Sequence, residues 1–248
     1  MRYVMGYTAA LCVLIVIVCQ SVIIPTFFVP FFRWQYRIAD GLAGRNTAET
    51  LGISEEDLMR VTRELLNYMR GRSDTLHGIT AEVQGRNARA SRAYGENFFS
   101  PTEIRHMYDV RVLYDRLYAV RNIALFLGIA LLLGMALMRE RPLYWLARCS
   151  REVLVGFVGV VAIFAVVIAI DFNRSWDIFH YIFFRGDAAN YWRLMPFEDL
   201  MINMFPLRFF LHISIFAGGL IVVFSGAIVA LSSVYLHRMK HAPGFRRP

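Results

Sequence analysis

Apolar residues in this chain gather into four long blocks, separated by two stretches in which polar and apolar positions are mixed. No Asp, Glu, Lys or Arg occurs in Tyr3–Phe32, Asn122–Met138, Val153–Ile170 or Phe209–His237. A membrane-crossing helix needs about 20 mostly apolar residues. The second and third blocks have only 17 and 18, but Arg121 and Arg139 at the ends of the second can snorkel to the interface. The pattern therefore predicts an all-α membrane protein, one membrane domain over 1–248, with spans near 4–32, 112–138, 152–171 and 208–237. The first block follows Arg2 as a secretory signal would. Its 30 uncharged residues exceed an h-region, and Ser21 to Pro25 offers no small-x-small cleavage pattern, so it reads as an uncleaved helix ending near Pro25 or Pro30.

Two segments, 33–111 and 172–207, lie between the spans on one side and are expected to be mostly helical, with short strands as the exception. Ser54-Glu55-Glu56-Asp57 reads as a capped helix start, followed by Leu58, Val61, Leu65 and Met69 on one face and a stop at Gly71. From Thr75 to Ala93 only a weak alternation of Ile79, Ala81 and Val83 survives, which leaves an irregular stretch with room for a short hairpin. Ser100, Pro101 and Glu103 then form a sharper start: N-cap, first helical position and the partner that closes a capping box. The other segment carries ten aromatic residues between Asp171 and Arg208. That density favours interface depth, in short helices along the outer leaflet interrupted by Pro196 and Pro206.

Charge adds orientation. Arg139, Arg141, Arg148 and Arg151 are assigned to the loop between spans two and three, and Arg238, Lys240, Arg246 and Arg247 occupy the tail, so both are expected on the cytoplasmic side. An even number of spans puts the N-terminus there too and both mixed segments outside. The net charge of +8 could suggest nucleic acid, but 14 of 27 basic residues fall between Arg33 and Arg121 among 12 acidic ones. A solvated, salt-bridged surface beside anionic lipid explains them, and no nucleic-acid partner is expected. Cys12 and Cys19 fall in the first span and Cys149 in what reads as an inter-helix loop, which leaves no disulfide framework outside.

The sequence has no nucleophile elbow, zincin motif, paired C-x-x-C or phosphate-binding glycine loop. Of six histidines, His237 and His241 sit in the basic tail and His77 in a loop. His212, at the outer start of the fourth span, either completes a site or anchors its helix. His106 and His180 differ: Asp109 follows His106 by three residues and Asp177 precedes His180 by three. On a helix that spacing places acid and imidazole on one face. A carboxylate can fix an imidazole tautomer and raise its basicity for general acid or base work. Surface His and Asp pairs are also common for no chemical reason.

The residues around these histidines resemble a known family. Phe98-Phe99-Ser100, Glu103, His106-Met107, Asp109-Val110 and Leu113 are similar to one conserved block of the Lit family, the lipoprotein intramolecular transacylases. Phe179-His180, Phe183-Phe184, Tyr191-Trp192, Leu194, Pro196, Leu200-Met201-Ile202-Asn203, Phe205-Pro206 and Phe209-Phe210 resemble the second. Met195 stands where the family usually has an acidic residue before the proline, and the outer segment before Phe98 is longer and richer in arginine.

The resemblance implies an enzyme of the bacterial plasma membrane, with both termini cytoplasmic and its active site at the outer leaflet. Its partners would be membrane lipid and a lipoprotein whose N-terminal cysteine carries a thioether-linked diacylglyceryl group. An ester-linked acyl chain would move to the cysteine's own α-amine, giving the lyso-form. His106 and His180 would be the essential pair, with Asp109 and Asp177 in support. Phe99, Arg121, Phe184, Trp192 and Asn203 would contact substrate, and no cofactor is expected. Which histidine is the base stays open, with a slight preference for His106. The shared site requires the second span to begin near Val110, since a helix rises about 1.5 Å per residue and His106 would otherwise stand roughly 20 Å above the apolar block. Competing readings are a non-enzymatic membrane interaction subunit, a metal or haem protein using the two histidines, and, weakest, a transporter.

Overall fold

The computed structural model describes residues 1–38, 44–85, 97–186, 192, 194–195 and 199–241. Among them the regular elements are helices: α1 (Arg2–Phe27), α2 (Val29–Arg37), α3 (Thr47–Leu51), α4 (Glu55–Met69), α5 (Pro101–Leu137), α6 (Pro142–Ile170), α7 (Phe172–Phe183), α8 (Met201–Met204) and α9 (Leu207–Lys240). Four of them, α1, α5, α6 and α9, are long and apolar enough to cross a membrane. No strand forms among the described residues. The backbone between α4 and α5 instead makes isolated bonds, Gln84 N–H to Gly52 O (2.8 Å) and Phe98 N–H to Ile79 O (2.7 Å). Residues 86–93 of the suggested hairpin lie outside the described residues.

The chain forms two compact units. The first comprises Met1–Pro25, Leu117–Ile170 and Ser214–Pro248. Its packed centre joins Ala10, Met135, Tyr144, Trp145, Ala147, Cys149 and Leu236. Small residues set the spacing: a Cβ on Gly6 would lie 3.0 Å from Cys149 Sγ, and one on Gly128 3.3 Å from Cys12 Cβ. In lipid no hydrophobic drive separates helix from solvent, so such close approach is what binds the helices. Ile123, Phe126, Leu133, Ile163, Phe164, Val223 and Leu231 are left on the outside of the unit, as lipid-facing residues are.

The connection between α5 and α6 is shorter than its arginines suggested. α5 closes on Arg139 in the left-handed region (φ 56°), with Glu140 N–H bonding Met135 O and Arg139 N–H bonding Ala136 O, each at 3.0 Å. Three residues after Arg139, Pro142 opens α6. Arg148, Cys149 and Arg151 therefore lie on the first turns of α6 and not in a loop, and Cys149 is buried against the packed centre. Arg148 bonds Glu152 (3.5 Å) and stands over the Trp145 ring.

The second unit comprises Thr26–Arg116 and Asp171–Ile213. α1 continues two residues past Pro25, and α2 begins after Phe28 with Pro30 in its first turn. α4 has the expected Ser54 cap, accepting from Asp57 N–H at 3.0 Å. Its face of Leu58, Val61, Leu65, Leu66 and Met69 is buried. α3, which went unread in the sequence, has a full capping box of Asn46 and Glu49 and ends on Gly52 at φ 73°. Phe31, Phe32 and Tyr36 of α2 meet Phe205 and Phe209 with ring centroids 5.3–6.3 Å apart. Pro206 precedes α9 as expected, while Pro196 lies outside the described residues.

Candidate active site

Both histidines of the matched blocks belong to the second unit. α5 is one uninterrupted helix whose first turns, before its uncharged stretch, carry Glu103 and His106; α7 carries His180 in its last turn. The two imidazole centroids lie 6.3 Å apart with planes inclined at 30°. Phe184 sits against both rings, 5.3 Å from His106 and 5.4 Å from His180. Trp192 stacks on His180 at 4.5 Å and Trp176 meets it edge-on at 4.4 Å. His180 is only 4% exposed. Such an aromatic enclosure strips water from the imidazoles, and removing water disfavours the charged form. Burial pushes His106 down to about 4, helped by the neighbouring His180. His180 is lowered too, chiefly by burial, with the Trp176 carbonyl and Asp177 opposing. Both rings are therefore neutral near pH 7.

One tautomer is set by geometry. His180 Nδ1 is 2.8 Å from the carbonyl oxygen of Trp176, four residues earlier on α7. A carbonyl can only accept, so Nδ1 carries the hydrogen and Nε2 the lone pair. The partner that orients His180 is thus main chain, and Asp177 is exposed at the helix surface. On α5, His106 Nδ1 and Asp109 Oδ2 are each buried without a hydrogen-bond partner among the described residues, so the three-residue spacing does not join them to each other.

The start of α5 also holds a buried polar network. Glu103 is completely buried. Its carboxylate accepts from Ser100 N–H (2.6 Å) and from Met201 N–H, while Ser100 Oγ accepts from Glu103 N–H (3.1 Å). Ser100 Oγ also donates to Asp199 Oδ1 (2.7 Å), and Asp199 Oδ2 accepts from Met195 N–H (2.8 Å). The capping box was legible as S-P-x-E. Its second task, tying the start of α5 to the Met201 backbone, spans 98 residues of sequence and has no local signal. Burial pushes the Glu103 carboxyl up to about 7 against the pull of its backbone donors.

The other candidate residues divide. Phe184 and Trp192 line the pair. Phe99 is fully buried edge-on to Phe98 (5.1 Å) and belongs to the core beside it. Asn203 is on α8, its N–H bonding Leu200 O at 3.1 Å. Arg121 falls in the first unit, bonded to Asn122 Oδ1 (2.9 Å) and over the Tyr118 ring. His212 Nδ1 meets the Gln35 side-chain amide, with Nε2 at 2.8 Å, and its ring lies beside Trp34; this joins α9 to α2. Arg111 bonds Ser73 O (3.0 Å) and covers the Tyr68 ring, facing protein, whereas Arg116 is exposed. Tyr191, Pro196 and Phe197 lie outside the described residues. Among the described residues no three His, Cys, Asp or Glu side chains come together as metal ligands would.

Four apolar crossing helices and an enclosed pair of neutral imidazoles define a polytopic membrane protein with a candidate site for proton transfer. Solved structures of the membrane-integral lipoprotein intramolecular transacylase Lit from Bacillus cereus share the fold, with a TM-score of 0.69, 16% identity and 97% of each chain covered. Two variants of that protein, each with one histidine replaced, by arginine or by alanine, match with a TM-score of 0.68. No curated protein matches significantly in sequence. The model of the Lit family, lipoprotein intramolecular transacylase, matches residues 7–210, and the chain belongs to that family. It is accordingly a membrane acyltransferase acting on lipoprotein.

Proposed function

We propose that His106 and His180 together catalyse transfer of an ester-linked acyl chain from the diacylglyceryl group of a lipoprotein's N-terminal cysteine to that cysteine's own α-amine. Nucleophile and electrophile belong to one substrate, so the enzyme supplies placement, a base and charge stabilisation. The amine nitrogen attacks the ester carbonyl carbon, His180 Nε2 takes a proton from that nitrogen, and the tetrahedral oxyanion forms beside His106. On collapse the C–O bond to glycerol breaks and the leaving oxygen receives the proton from His180. Amide and alcohol replace amine and ester, and the histidine ends as it began.

The observation that carries this reading is the separation of 6.3 Å between rings from helices remote in sequence. Two ring nitrogens, each with a hydrogen-bond reach of about 3 Å, can then touch one tetrahedral centre. His180 is assigned as base because its lone pair is held on Nε2 by the Trp176 carbonyl. His106, neutral and with a buried Nδ1 that none of the described residues satisfies, suits an N–H donor to oxygen. This reverses the slight preference for His106 as base. The reading places the pair at the outer leaflet of the bacterial inner membrane with both termini cytoplasmic.

Mass spectrometry of N-terminal lipopeptides from cells expressing His106→Ala or His180→Ala variants tests it. Diacyl lipoprotein with a free amine should accumulate. Normal accumulation of N-acylated lyso-lipoprotein in either variant sinks the two-histidine mechanism.

A further inference from the structure

Buried polar atoms without partners are rare, because each forgoes water and gains nothing in return. Among the described residues there are six side-chain atoms of this kind. Four of them, on Ser21, Trp145, Ser150 and Ser225, fall in the first unit. The other two are His106 Nδ1 and Asp109 Oδ2. They lie three residues apart on α5, a spacing that puts their Cβ atoms roughly 5–6 Å apart on one face. Elsewhere in the second unit buried polar side chains find partners: Gln35 bonds His212, Tyr36 bonds Thr62, and Ser100, Glu103 and Asp199 bond one another or backbone. The two exceptions are therefore not a general looseness of that unit.

An unsatisfied imidazole nitrogen is accounted for by the acyl-transfer step. An unsatisfied carboxylate oxygen one helical turn along calls for a donor, and a positive one best offsets the cost of keeping that oxygen from water. We infer that Asp109 receives the substrate's α-ammonium group, holding the future nucleophile one helical turn from His106. This rests on the reading that the substrate is a lipoprotein N-terminus.

The substrate's amine titrates near pH 8 and arrives mostly as an ammonium with three N–H donors. After transfer the nitrogen is an uncharged amide with one. The overall change is ammonium plus ester to amide, alcohol and one proton released to solvent. A carboxylate at this place therefore binds substrate and lets product go, and it distinguishes an unacylated amine from one already acylated. It also exacts a cost: stabilising the ammonium raises the pH at which free amine becomes available in the complex.

The test uses the full chain in nanodiscs and two unreactive probes, a cysteinyl peptide carrying a dialkyl-ether glyceryl group with its α-amine either free or acetylated. At about pH 6.5, where the free amine is charged, wild type should bind the free-amine probe at least about tenfold more tightly. Asp109→Asn should shrink that preference to less than about threefold and leave the acetylated probe's affinity unchanged, which also shows the variant is folded. In acyl transfer from the diester substrate, the midpoint of the rise of kcat with pH should fall by about one unit in Asp109→Asn. A preference that survives in Asp109→Asn overturns the inference, and so does equal weakening of both probes, the mark of a packing role. Equal affinity of wild type for the two probes overturns it while leaving the acyl-transfer reading intact. Failure of wild type to bind either one overturns the substrate reading and this inference with it.

Discussion

The two units of this protein are built from different interactions. In the first, glycine and alanine let helices approach and large apolar residues face outward, while three serine hydroxyls and an indole N–H are buried with no partner among the described residues. In the second, capping boxes, a buried carboxylate network and clustered aromatic rings hold short helices in fixed relation, and the two unpartnered atoms coincide with the candidate site. A unit in lipid can be assembled by steric fit alone because its surroundings are as apolar as its interior. A site for proton transfer needs groups placed to fractions of an ångström, which directional bonds provide.

The largest effect should therefore come from the second unit's histidines. His180→Ala should slow acyl transfer by roughly 100-fold or more, the usual contribution of a general base, with little change in detergent melting temperature. Retention of more than a tenth of the rate would separate the site from the network that builds it.

Next in size is Glu103. Glu103→Ala leaves the Ser100 and Met201 N–H groups buried without acceptors, at a cost of about 2–4 kcal/mol, read as a lowered melting midpoint. The pH dependence has a defined sign. With its carboxyl raised from 4.5 to about 7 in the folded state, the native protein holds more protons than the unfolded chain between those values. Stability therefore falls as pH rises through that window. Glu103→Gln, which cannot ionise, should lose that part of the slope. An unchanged slope would mean that another group dominates titration there.

In the first unit, Gly6→Val drives a Cβ against Cys149 Sγ and Trp145 Cβ, 3.0 and 3.4 Å away. Overpacking of this kind costs about 1–3 kcal/mol and should appear as a lower melting midpoint. The smallest effect belongs to Ser21→Ala, which removes a buried hydroxyl with no hydrogen-bond partner among the described residues. Stability should change by less than about 0.5 kcal/mol in either direction. A clear loss would show that the first unit also depends on a polar contact.

Much of the candidate site was legible, and for a physical reason in each case. His106 and Glu103 announced themselves because a capping box and a helical repeat are local patterns, read within one turn. His180 was visible through its place in an aromatic segment and its matched block. The aspartates show where such reading stops. Three-residue spacing puts acid and imidazole on one face, but His180 turned its Nδ1 to the Trp176 carbonyl and Asp109 Oδ2 met no partner among the described residues. Side-chain rotamers answer to every neighbour, and spacing counts only one. Cys149 failed differently: a run of arginines looked like a loop, whereas Pro142 starts α6 early and the arginines ride on its first turns.

By itself the sequence determined the four apolar crossings, since helix length against bilayer thickness is an additive property of consecutive residues. It also determined the capped starts at Ser54 and Ser100, whose bonds close within three or four positions. The tertiary structure decided that His106 and His180 face each other, that Glu103 reaches the Met201 backbone, and that Phe99 belongs to the core. Each of these depends on chain segments roughly 70 to 100 positions apart or on complete exclusion of water, and neither is encoded in any one stretch of the chain.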